Sequence, residues 1–324
     1  MPLTPSPRPE ARRPPAGNGA GRHVAVLLAT HNGAQWLDEQ LASIAGQDIA
    51  GRIDIHASDD NSTDGTRELL SRWQGQWSRG DFTIASGPGT GFADNFRSLI
   101  LAAPTEAAFV AFSDQDDIWL ESKLGAATAA IGEDGPALHG SRTTFVDAEG
   151  RVLAMSQAFK RAPSFRNALA QNIIAGNTAV LNREAFAILR TASERTDYPF
   201  HDWFAYLIVS GAGGRVHYAP TGHLLYRQHG GNAVGGSIGI VDKADRIRRS
   251  LRGAFRDYVA RNVAALRRCE DLLTPEARST LDLFDAARTG APAKRLRMLK
   301  ASGVHRQTAS ETLMLYAAAL IDRL

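Results

Sequence analysis

The sequence predicts an α/β fold with a doubly wound, mostly parallel sheet, followed by a C-terminal helical region. Short apolar strands alternate with helical stretches over the first third of the chain, and from about Val241 the pattern is helical throughout. Strands that alternate with helices form parallel sheets, because each helix returns the chain to the same sheet edge. A chain of 324 residues that is 44% hydrophobic can bury one large core.

The predicted elements follow one another as βα units and then become less regular. The first four strands are expected at residues 24–29, 53–57, 82–85 and 108–112, with helices at 34–45, 63–73 and 92–101 between them. Strand-like stretches at 138–146 and 178–181 and helices at 184–191 and 202–209 come next. Thr274-Pro275 and Gly290-Ala291-Pro292 divide the remainder into three or four helices.

Charge is unevenly distributed along the chain. Residues 1–22 carry a net charge of +3, residues 23–241 carry −7 and residues 242–324 carry +7. An acidic body binds nucleic acid poorly and suits a divalent cation, whereas a basic helical region could meet anionic lipid, a second subunit or only solvent. The first 22 residues are rich in Pro, Ala, Gly and Arg and are predicted to be disordered.

The sequence predicts a cytoplasmic protein. Cys269 is the only cysteine, which excludes an intramolecular disulfide and fits a reducing compartment. There is no run of 18 apolar residues, and Pro and Arg occupy the N-terminus where a secretory signal needs an apolar segment. Any membrane contact is therefore expected to be peripheral, at the inner face of the membrane.

Three predicted strands end in polar segments, which should open on one edge of the sheet where ligands of α/β proteins bind. Thr30-His31-Asn32-Gly33 follows the first strand, and Ser58-Asp59-Asp60-Asn61 opens the segment after the second. Part of that second segment could simply cap the next helix. Two adjacent carboxylates exceed what a cap needs, so Asp60 is predicted to face the crevice and accept a hydrogen bond from a pyrimidine base.

Asp114-Gln115-Asp116-Asp117 follows the fourth strand and predicts a cation site. Three carboxylates within four residues repel one another unless a cation offsets their charge. Mg²⁺ and Mn²⁺ take oxygen ligands, commonly one or two carboxylates together with substrate phosphates, so this segment is predicted to bind such an ion. The alternative is an acidic loop that caps a helix beginning near Leu120, with Asp117 as the cap.

Five motifs, in this order, resemble those of family-2 glycosyltransferases, and most of all the rhamnosyltransferase-like branch. They are Thr30-His31-Asn32-Gly33, Ser58-Asp59-Asp60-Asn61-Ser62-Thr63-Asp64-Gly65-Thr66, Phe112-Ser113-Asp114-Gln115-Asp116-Asp117-Ile118-Trp119, His201-Asp202-Trp203 and Tyr226-Arg227-Gln228-His229-Gly230-Gly231-Asn232. The resemblance runs from about Val24 to Val234. It implies a GT-A fold over residues 23–240, an αβα sandwich with a donor half (about 23–120) and an acceptor half (about 121–240). Residues 241–324 would form a basic helical extension.

The resemblance also implies roles for individual residues in an inverting transfer from a nucleoside-diphosphate sugar. Asp202 would be the general base that takes the acceptor proton, with Trp203 raising its pKa by excluding water; from local sequence alone it could equally be a helix cap. Asp114 and Asp116 would hold the metal. The residues implied to contact the nucleotide-sugar are Thr30, Asn32, Asp59, Asp60, Asn95, Asp114, Trp119, Arg227 and His229.

The expected donor is linked to dTDP or UDP and could carry rhamnose, and the expected acceptor is a hydroxyl of a cell-surface glycan, free or lipid-linked. The C-terminal helices would contact an anionic membrane or form a homodimer. One alternative is a sugar nucleotidyltransferase, although such enzymes usually carry a Gly-rich basic loop where Thr30-His31-Asn32-Gly33 stands. Another is a GT-A scaffold without turnover, against which the intact carboxylates argue.

Overall fold

The computed structural model of the chain describes residues 22–104, 106–229 and 254–324. The predicted disordered segment therefore lies outside the described residues, except for Arg22, which begins the first strand. Gly230-Gly231-Asn232 and the first part of the basic helical region, residues 241–253, also lie outside them.

The described residues contain eleven strands. They are β1 (Arg22–Thr30), β2 (Gly51–Asp59), β3 (Phe82–Ser86), β4 (Phe109–Ser113), β5 (Ile118–Trp119), β6 (Ala137–Ser141), β7 (Thr144–Val146), β8 (Val152–Met155), β9 (Val180–Asn182), β10 (Arg215–Ala219) and β11 (Leu224–Arg227). Seven of them form the central sheet in the order β10-β6-β9-β4-β1-β2-β3. Only β9 runs antiparallel to its neighbours there, so the sheet is mixed and mostly parallel.

The described helices cover this sheet and extend beyond it. They are α1 (Leu37–Ala45), α2 (Thr66–Gln76), α3 (Phe92–Ala102), α4 (Lys123–Ile131), α5 (Phe165–Ala168), α6 (Arg183–Arg195), α7 (His201–Gly211), α8 (Ala254–Arg267), α9 (Pro275–Thr289), α10 (Pro292–Ser302) and α11 (Ala309–Leu320). The predicted βα units over residues 24–112 are thus confirmed, with ends shifted by a few residues.

The buried parallel strands explain the continuous apolar runs in the first half of the sequence. Residues Val24–Leu28 of β1 are fully buried, since helices cover both faces of the sheet, and such strands appear in sequence as continuous apolar runs. β1, β2, β3 and β4 are parallel neighbours, so the loops after them meet at one edge. That edge holds the first three motifs singled out in the sequence.

One sequence prediction about the second half is wrong. The expected strand at 138–146 is two strands, because the chain leaves the central sheet after Ser141 and re-enters as β7 in a second sheet of order β5-β11-β7-β8. The helix expected near Leu120 is confirmed and begins at Lys123. Ile118 and Trp119 pair with β11, and this long-range pairing decides their conformation.

The described C-terminal helices pack onto the α/β body. Val259 and Leu266 of α8 and Phe284 of α9 belong to the same buried cluster as Leu207 of α7. The predicted break at Thr274-Pro275 is confirmed, since the Thr274 hydroxyl accepts a hydrogen bond from the Ala277 N–H and caps α9. In the described parts of the chain, we find no helix with the length and apolar character needed to cross a bilayer.

Candidate active site

A cavity of about 920 Å³ opens at the sheet edge where β1, β2 and β4 end. Its lining includes six of the residues predicted from sequence, namely Thr30, Asp60, Asn95, Asp114, Asp116 and Asp202. Five other predicted residues are absent from that lining, namely Asn32, Asp59, Trp119, Arg227 and His229. The structure therefore divides the predicted set into side chains that line the cavity and side chains that do not.

Asp59 and Asp60 illustrate this division, because successive residues at a strand end point to opposite sides. Asp59 faces the interior of its loop, where it accepts hydrogen bonds from the hydroxyls of Thr30 (3.0 Å) and Ser62 (2.5 Å). Asp60 lines the cavity, and its two carboxylate oxygens accept the N–H groups of Gly89 (2.5 Å) and Gly91 (3.0 Å). Of the two carboxylates, Asp60 is the one that a bound base could reach.

The glycine loop after β3 completes this end of the cavity. Gly89 and Gly91 have φ angles of 75° and 106°, values that favour glycine, and in this conformation their N–H groups reach Asp60. Asn95 at the start of α3 donates to the Ser58 carbonyl at 3.0 Å. Its Oδ1 is buried without a hydrogen-bond partner in the described chain, so the cavity wall here offers an unsatisfied acceptor.

Gln115 ties the loop after β1 to the acidic loop. Its amide accepts from the His31 N–H (2.8 Å) and donates to the His31 carbonyl (2.9 Å). Gly33 makes this contact possible, because a Cβ at that position would lie 2.1 Å from Gln115 Oε1. Asn32 extends the bracing to the β2 loop, since its Oδ1 accepts the Thr63 N–H at 2.8 Å. Asn32 therefore positions loops around the cavity.

The carboxylates after β4 lie in a strained electrostatic environment. Burial and the neighbouring charges of Asp116 and Asp202 raise the pKa of Asp114 to about 7. Burial also raises the pKa of Asp116, against the opposing effect of a hydrogen bond from His229. A cation between these groups would stabilise their ionised forms.

Asp117 is not a helix cap, contrary to one of the sequence interpretations. It is 1% exposed, and its Oδ2 accepts a hydrogen bond from the Asn177 side chain at 2.7 Å. Helix α4 begins six residues later, with Ser122 at the capping position. Burial, together with the charges of Asp116 and Asp114, raises the pKa of Asp117 well above its usual value. Asp117 therefore anchors the acidic loop to the segment before β9.

Lys123 lies behind the acidic loop and was not singled out in the sequence. Its ammonium is buried 3.3 Å from the centroid of the Trp119 ring, and no hydrogen-bond acceptor for it exists in the described chain. Burial lowers the pKa of Lys123 to about 7, while Asp117 and Asp114 oppose that shift. Trp119, predicted to line the donor pocket, instead packs in the core beneath this lysine. An aromatic face is a favourable neighbour for a buried cation.

Asp202 lies in the first turn of α7 and lines the cavity. Its carboxylate accepts the Trp203 N–H at 2.6 Å and is also hydrogen-bonded by the Asn172 side chain and the Gly176 N–H. Burial outweighs these hydrogen bonds and raises the pKa of Asp202 to about 6. A carboxylate with such a pKa is ionised at neutral pH and is still basic enough to take a proton.

His201, next to Asp202, is buried in an aromatic setting. Its ring stacks on Phe96 with the centroids 3.7 Å apart, and neither ring nitrogen has a hydrogen-bond partner in the described residues. Burial lowers the pKa of His201 to about 3, so the imidazole is neutral. His201 lines the cavity and makes no hydrogen bond to Asp202.

Arg227 and His229 brace the acidic loop from behind the cavity wall. The Arg227 guanidinium is 2% exposed, donates to the carbonyls of Ala148 (2.7 Å) and Asp116 (3.2 Å), and pairs with Glu39. His229 Nε2 lies 2.9 Å from Asp116 Oδ2. Both side chains stack on Trp36. Their contacts fix the position of Asp116, whereas the sequence resemblance implied direct contact with the nucleotide-sugar.

The carboxylates present suit a cation whose remaining ligands come from a substrate. In the described part of the chain, no three His, Cys, Asp or Glu side chains are grouped to hold a metal ion. Asp114 and Asp116 line one cavity and repel each other, and Mg²⁺ is commonly held by one or two carboxylates together with substrate phosphates. These two residues are therefore suited to a cation that arrives with a diphosphate.

The chain is similar to known glycosyltransferases in sequence and in fold. The sequence profile described as "Glycosyl transferase family 2" matches residues 25–196, which is more than half of the chain. The chain is 29% identical over 229 residues to the dTDP-rhamnosyl transferase RfbG of Shigella flexneri, covering 68% of this chain and 78% of that protein. The structure of S. aureus TarS 1-349 with UDP-GlcNAc matches with a TM-score of 0.52 and 16% identity, covering 92% of this chain and 90% of that one.

Proposed function

The chain belongs to glycosyl transferase family 2 and has the GT-A fold, and we propose that it transfers a sugar from a nucleoside-diphosphate donor to an acceptor hydroxyl with inversion. One observation carries this proposal: Asp202 lines the same cavity as Asp114 and Asp116, close enough for its charge to raise the pKa of Asp114. This shared position supports the proposal that Asp202 serves as the base and that Asp114 and Asp116 hold the diphosphate around one reacting centre.

The donor is proposed to lie with its base at the β1–β2 end of the cavity. Thr30 and Asp60 are the groups available to the base there, and Asn95 offers its unsatisfied oxygen nearby. The relative RfbG is named a dTDP-rhamnosyl transferase, which favours a dTDP-linked 6-deoxy sugar as the first donor to try. UDP-linked sugars are the second choice.

Asp114 and Asp116 would hold a Mg²⁺ or Mn²⁺ ion together with the donor diphosphate. When bound, such an ion offsets the negative charge that develops on the leaving diphosphate. The protein contributes the position of the loop that carries these carboxylates. Gln115 and Asn177 hold this loop through His31 and Asp117, and Arg227 and His229 hold it at Asp116. Groups held in place before the reaction stabilise developing charge without reorganising.

Asp202 would act as the general base in a single displacement. The acceptor oxygen attacks the anomeric carbon, the bond from that carbon to the diphosphate oxygen breaks, and the acceptor proton passes to the Asp202 carboxylate. Asn172 and Gly176 hold the carboxylate, and its burial makes it more basic than a solvated aspartate. Attack on the face opposite the leaving group gives inversion.

Asn32, Asp59, Trp119, Arg227 and His229 enter this proposal as positioning residues, since their side chains hold the loops or the core behind the cavity wall. A role in cell-surface glycan synthesis, a cytoplasmic location, peripheral membrane contact and a dimer formed by the C-terminal helices stay predictions. So do the domain boundaries at residues 22 and 240.

The test is to incubate the protein with dTDP- and UDP-sugars, Mn²⁺ and a mixture of glycosides, and to identify the phosphate product. Sugar transfer releases a nucleoside diphosphate, whereas a nucleotidyltransferase leaves these sugars intact until pyrophosphate is added and then forms a nucleoside triphosphate and a sugar 1-phosphate. The Asp134→Asn variant, altered at an exposed site just before β6, is a matched control that should behave as wild type. Formation of a nucleoside triphosphate on adding pyrophosphate, or no nucleoside diphosphate from any donor, would refute the proposal.

A further inference from the structure

We propose that the acceptor is a neutral carbohydrate whose ring binds against Phe159 and Tyr218 on the β10 side of the cavity. This inference rests on the proposed glycosyl transfer and names the class of its second substrate. Phe159 and Tyr218 line the cavity and lie outside all five motifs used to interpret the sequence.

The order of strands places these two rings far from the base end. β2, which ends just before Asp60, and β10, which carries Tyr218, are five strands apart in the central sheet. At about 4.8 Å between neighbouring strands, that separation is about 24 Å. The acidic loop follows β4, two strands from β2 and three from β10. A donor with its base at β2 and its diphosphate at β4 would leave the β10 side free for the acceptor.

The two rings form a preformed aromatic surface. Their centroids lie 5.2 Å apart, and both rings pack against the buried core while remaining partly exposed. The Tyr218 hydroxyl donates to the Gln157 carbonyl at 3.4 Å, which restrains the ring further. The face of a pyranose ring presents C–H groups, and these pack well on the electron-rich face of an aromatic ring.

Hydroxyl-bearing side chains surround this surface on the same side of the cavity. Ser141, Thr143 and Ser156 line it together with the two rings. An apolar floor with a few polar groups around it is typical of small-molecule sites, and it suits a ring with an apolar face and hydroxyls at its edge. Hydrogen bonds from the acceptor hydroxyls would then select the sugar.

The charge of the lining argues for a neutral sugar. The described lining residues on this side are Ser141, Thr143, Phe145, Ser156, Phe159, Tyr218 and Tyr226. None of these side chains is ionised at neutral pH. Arg142 directs its Nε (2.9 Å) and Nη2 (2.6 Å) at the Ser156 carbonyl and is not one of the lining residues. An anionic sugar or a phosphate placed here would meet no lysine or arginine among the described lining residues, would be repelled by Asp114 and Asp202 of the same cavity, and would be desolvated at a cost.

The test uses Phe159→Ala and Tyr218→Ala, with Tyr218→Phe as the matched control that keeps the ring. Each variant is assayed for release of nucleoside diphosphate with and without a panel of neutral, uronic acid and phosphorylated glycosides. We expect the neutral glycosides to be the better acceptors for the wild type. We expect each alanine variant to raise the acceptor KM about tenfold, in the range typical of a lost buried aromatic contact, and Tyr218→Phe to stay within twofold of wild type.

Donor hydrolysis without acceptor separates this inference from the function on which it rests. All three variants should hydrolyse the donor at the wild-type rate, with donor KM within twofold. An unchanged acceptor KM in both alanine variants, a preference for charged acceptors, or no transfer to any neutral glycoside while hydrolysis persists would overturn the inference. Absence of nucleoside diphosphate release from the wild type under every condition would instead refute glycosyl transfer itself.

Discussion

The two halves of the cavity are built in different ways. The half proposed to bind the donor consists of loops that follow consecutive parallel strands, and hydrogen bonds such as those from the Gly89 and Gly91 N–H groups to Asp60 hold these loops together. The half proposed to bind the acceptor is assembled from separate segments of two sheets and from the start of α7. Asp114, after β4, and Asp202, in α7, mark the line where the halves meet.

This difference suggests a division of labour. Loops tied to each other at several points, as through Gln115 and Asn32, favour a fixed site for the nucleotide that all reactions of the enzyme share. An aromatic surface with scattered hydroxyls can change its specificity through single substitutions without disturbing the donor loops. Variants on either side of the dividing line should therefore separate donor binding from transfer.

The largest effect is expected for Asp202→Asn at the dividing line. Loss of a general base slows transfer by about 10²- to 10⁴-fold, and the amide is nearly isosteric with the carboxylate it replaces. The donor Kd should stay within threefold of the wild-type value, because Asp202 is not proposed to contact the nucleobase or the diphosphate of the donor. Steady-state rates and calorimetric titration with dTDP and Mn²⁺ measure the two quantities; near-wild-type turnover would remove the base assignment.

The second effect, on donor affinity, is expected for Asp116→Asn. In the presence of Mn²⁺ this variant should bind the nucleoside diphosphate about 10- to 100-fold more weakly, since one ligand of the proposed cation loses its charge. Without a divalent ion, the two proteins should bind the nucleotide within threefold of each other. Equal weakening with and without Mn²⁺ would indicate that Asp116 serves the shape of the loop only.

The pH dependence provides a third test. The pKa of Asp202 is raised to about 6, and only its ionised form accepts a proton, so kcat/KM should be level above pH 7 and fall about tenfold per unit below pH 6. The residual activity of Asp202→Asn should lack this acid limb. A limb centred near pH 4 in the wild type would mean that the base is a solvated carboxylate elsewhere.

The smallest effect is expected for Arg227→Met, which should reduce stability and weaken donor binding only slightly, because His229 still holds Asp116. The buried guanidinium holds Ala148 and Asp116, and its removal should cost about 2 kcal/mol, discounted because its partner Glu39 is half exposed. For a chain of this size, that predicts a Tm lower by about 3 °C. Arg297→Met on the exposed surface of α10 is the control. Strongly weakened donor binding at an unchanged Tm would indicate that Arg227 contacts the donor phosphates directly.

Much of the donor half could be predicted from sequence, because motifs that follow parallel strands must meet at one edge. Thr30, Asp60, Asp114 and Asp116 are on the cavity wall for this reason. The roles of supporting residues could not be predicted in the same way. Arg227 pairs with Glu39, 188 residues earlier, and no local pattern encodes that contact.

Less of the proposed acceptor half could be predicted from the sequence, because its contacts also join residues that are far apart in the chain. Asn172 and Gly176 hydrogen-bond Asp202 across about thirty residues, and Phe159 meets Tyr218 across about sixty. Asp117 resembles a helix cap in the sequence, but Ile118 and Trp119 pair with β11, and the helix begins only after them. Local sequence cannot show this pairing, because β11 lies about a hundred residues later in the chain. Lys123 could have been suspected only as a cation close in sequence to an acidic motif.

A crystal structure of the protein with dTDP and Mn²⁺ tests most directly whether the cavity is divided in this way. The account predicts the base between Thr30 and Asp60, the diphosphate and Mn²⁺ at Asp114 and Asp116, and no nucleotide atom on the Phe159–Tyr218 surface. A base stacked on Phe159 or Tyr218, or a diphosphate bound away from Asp114 and Asp116, would contradict it.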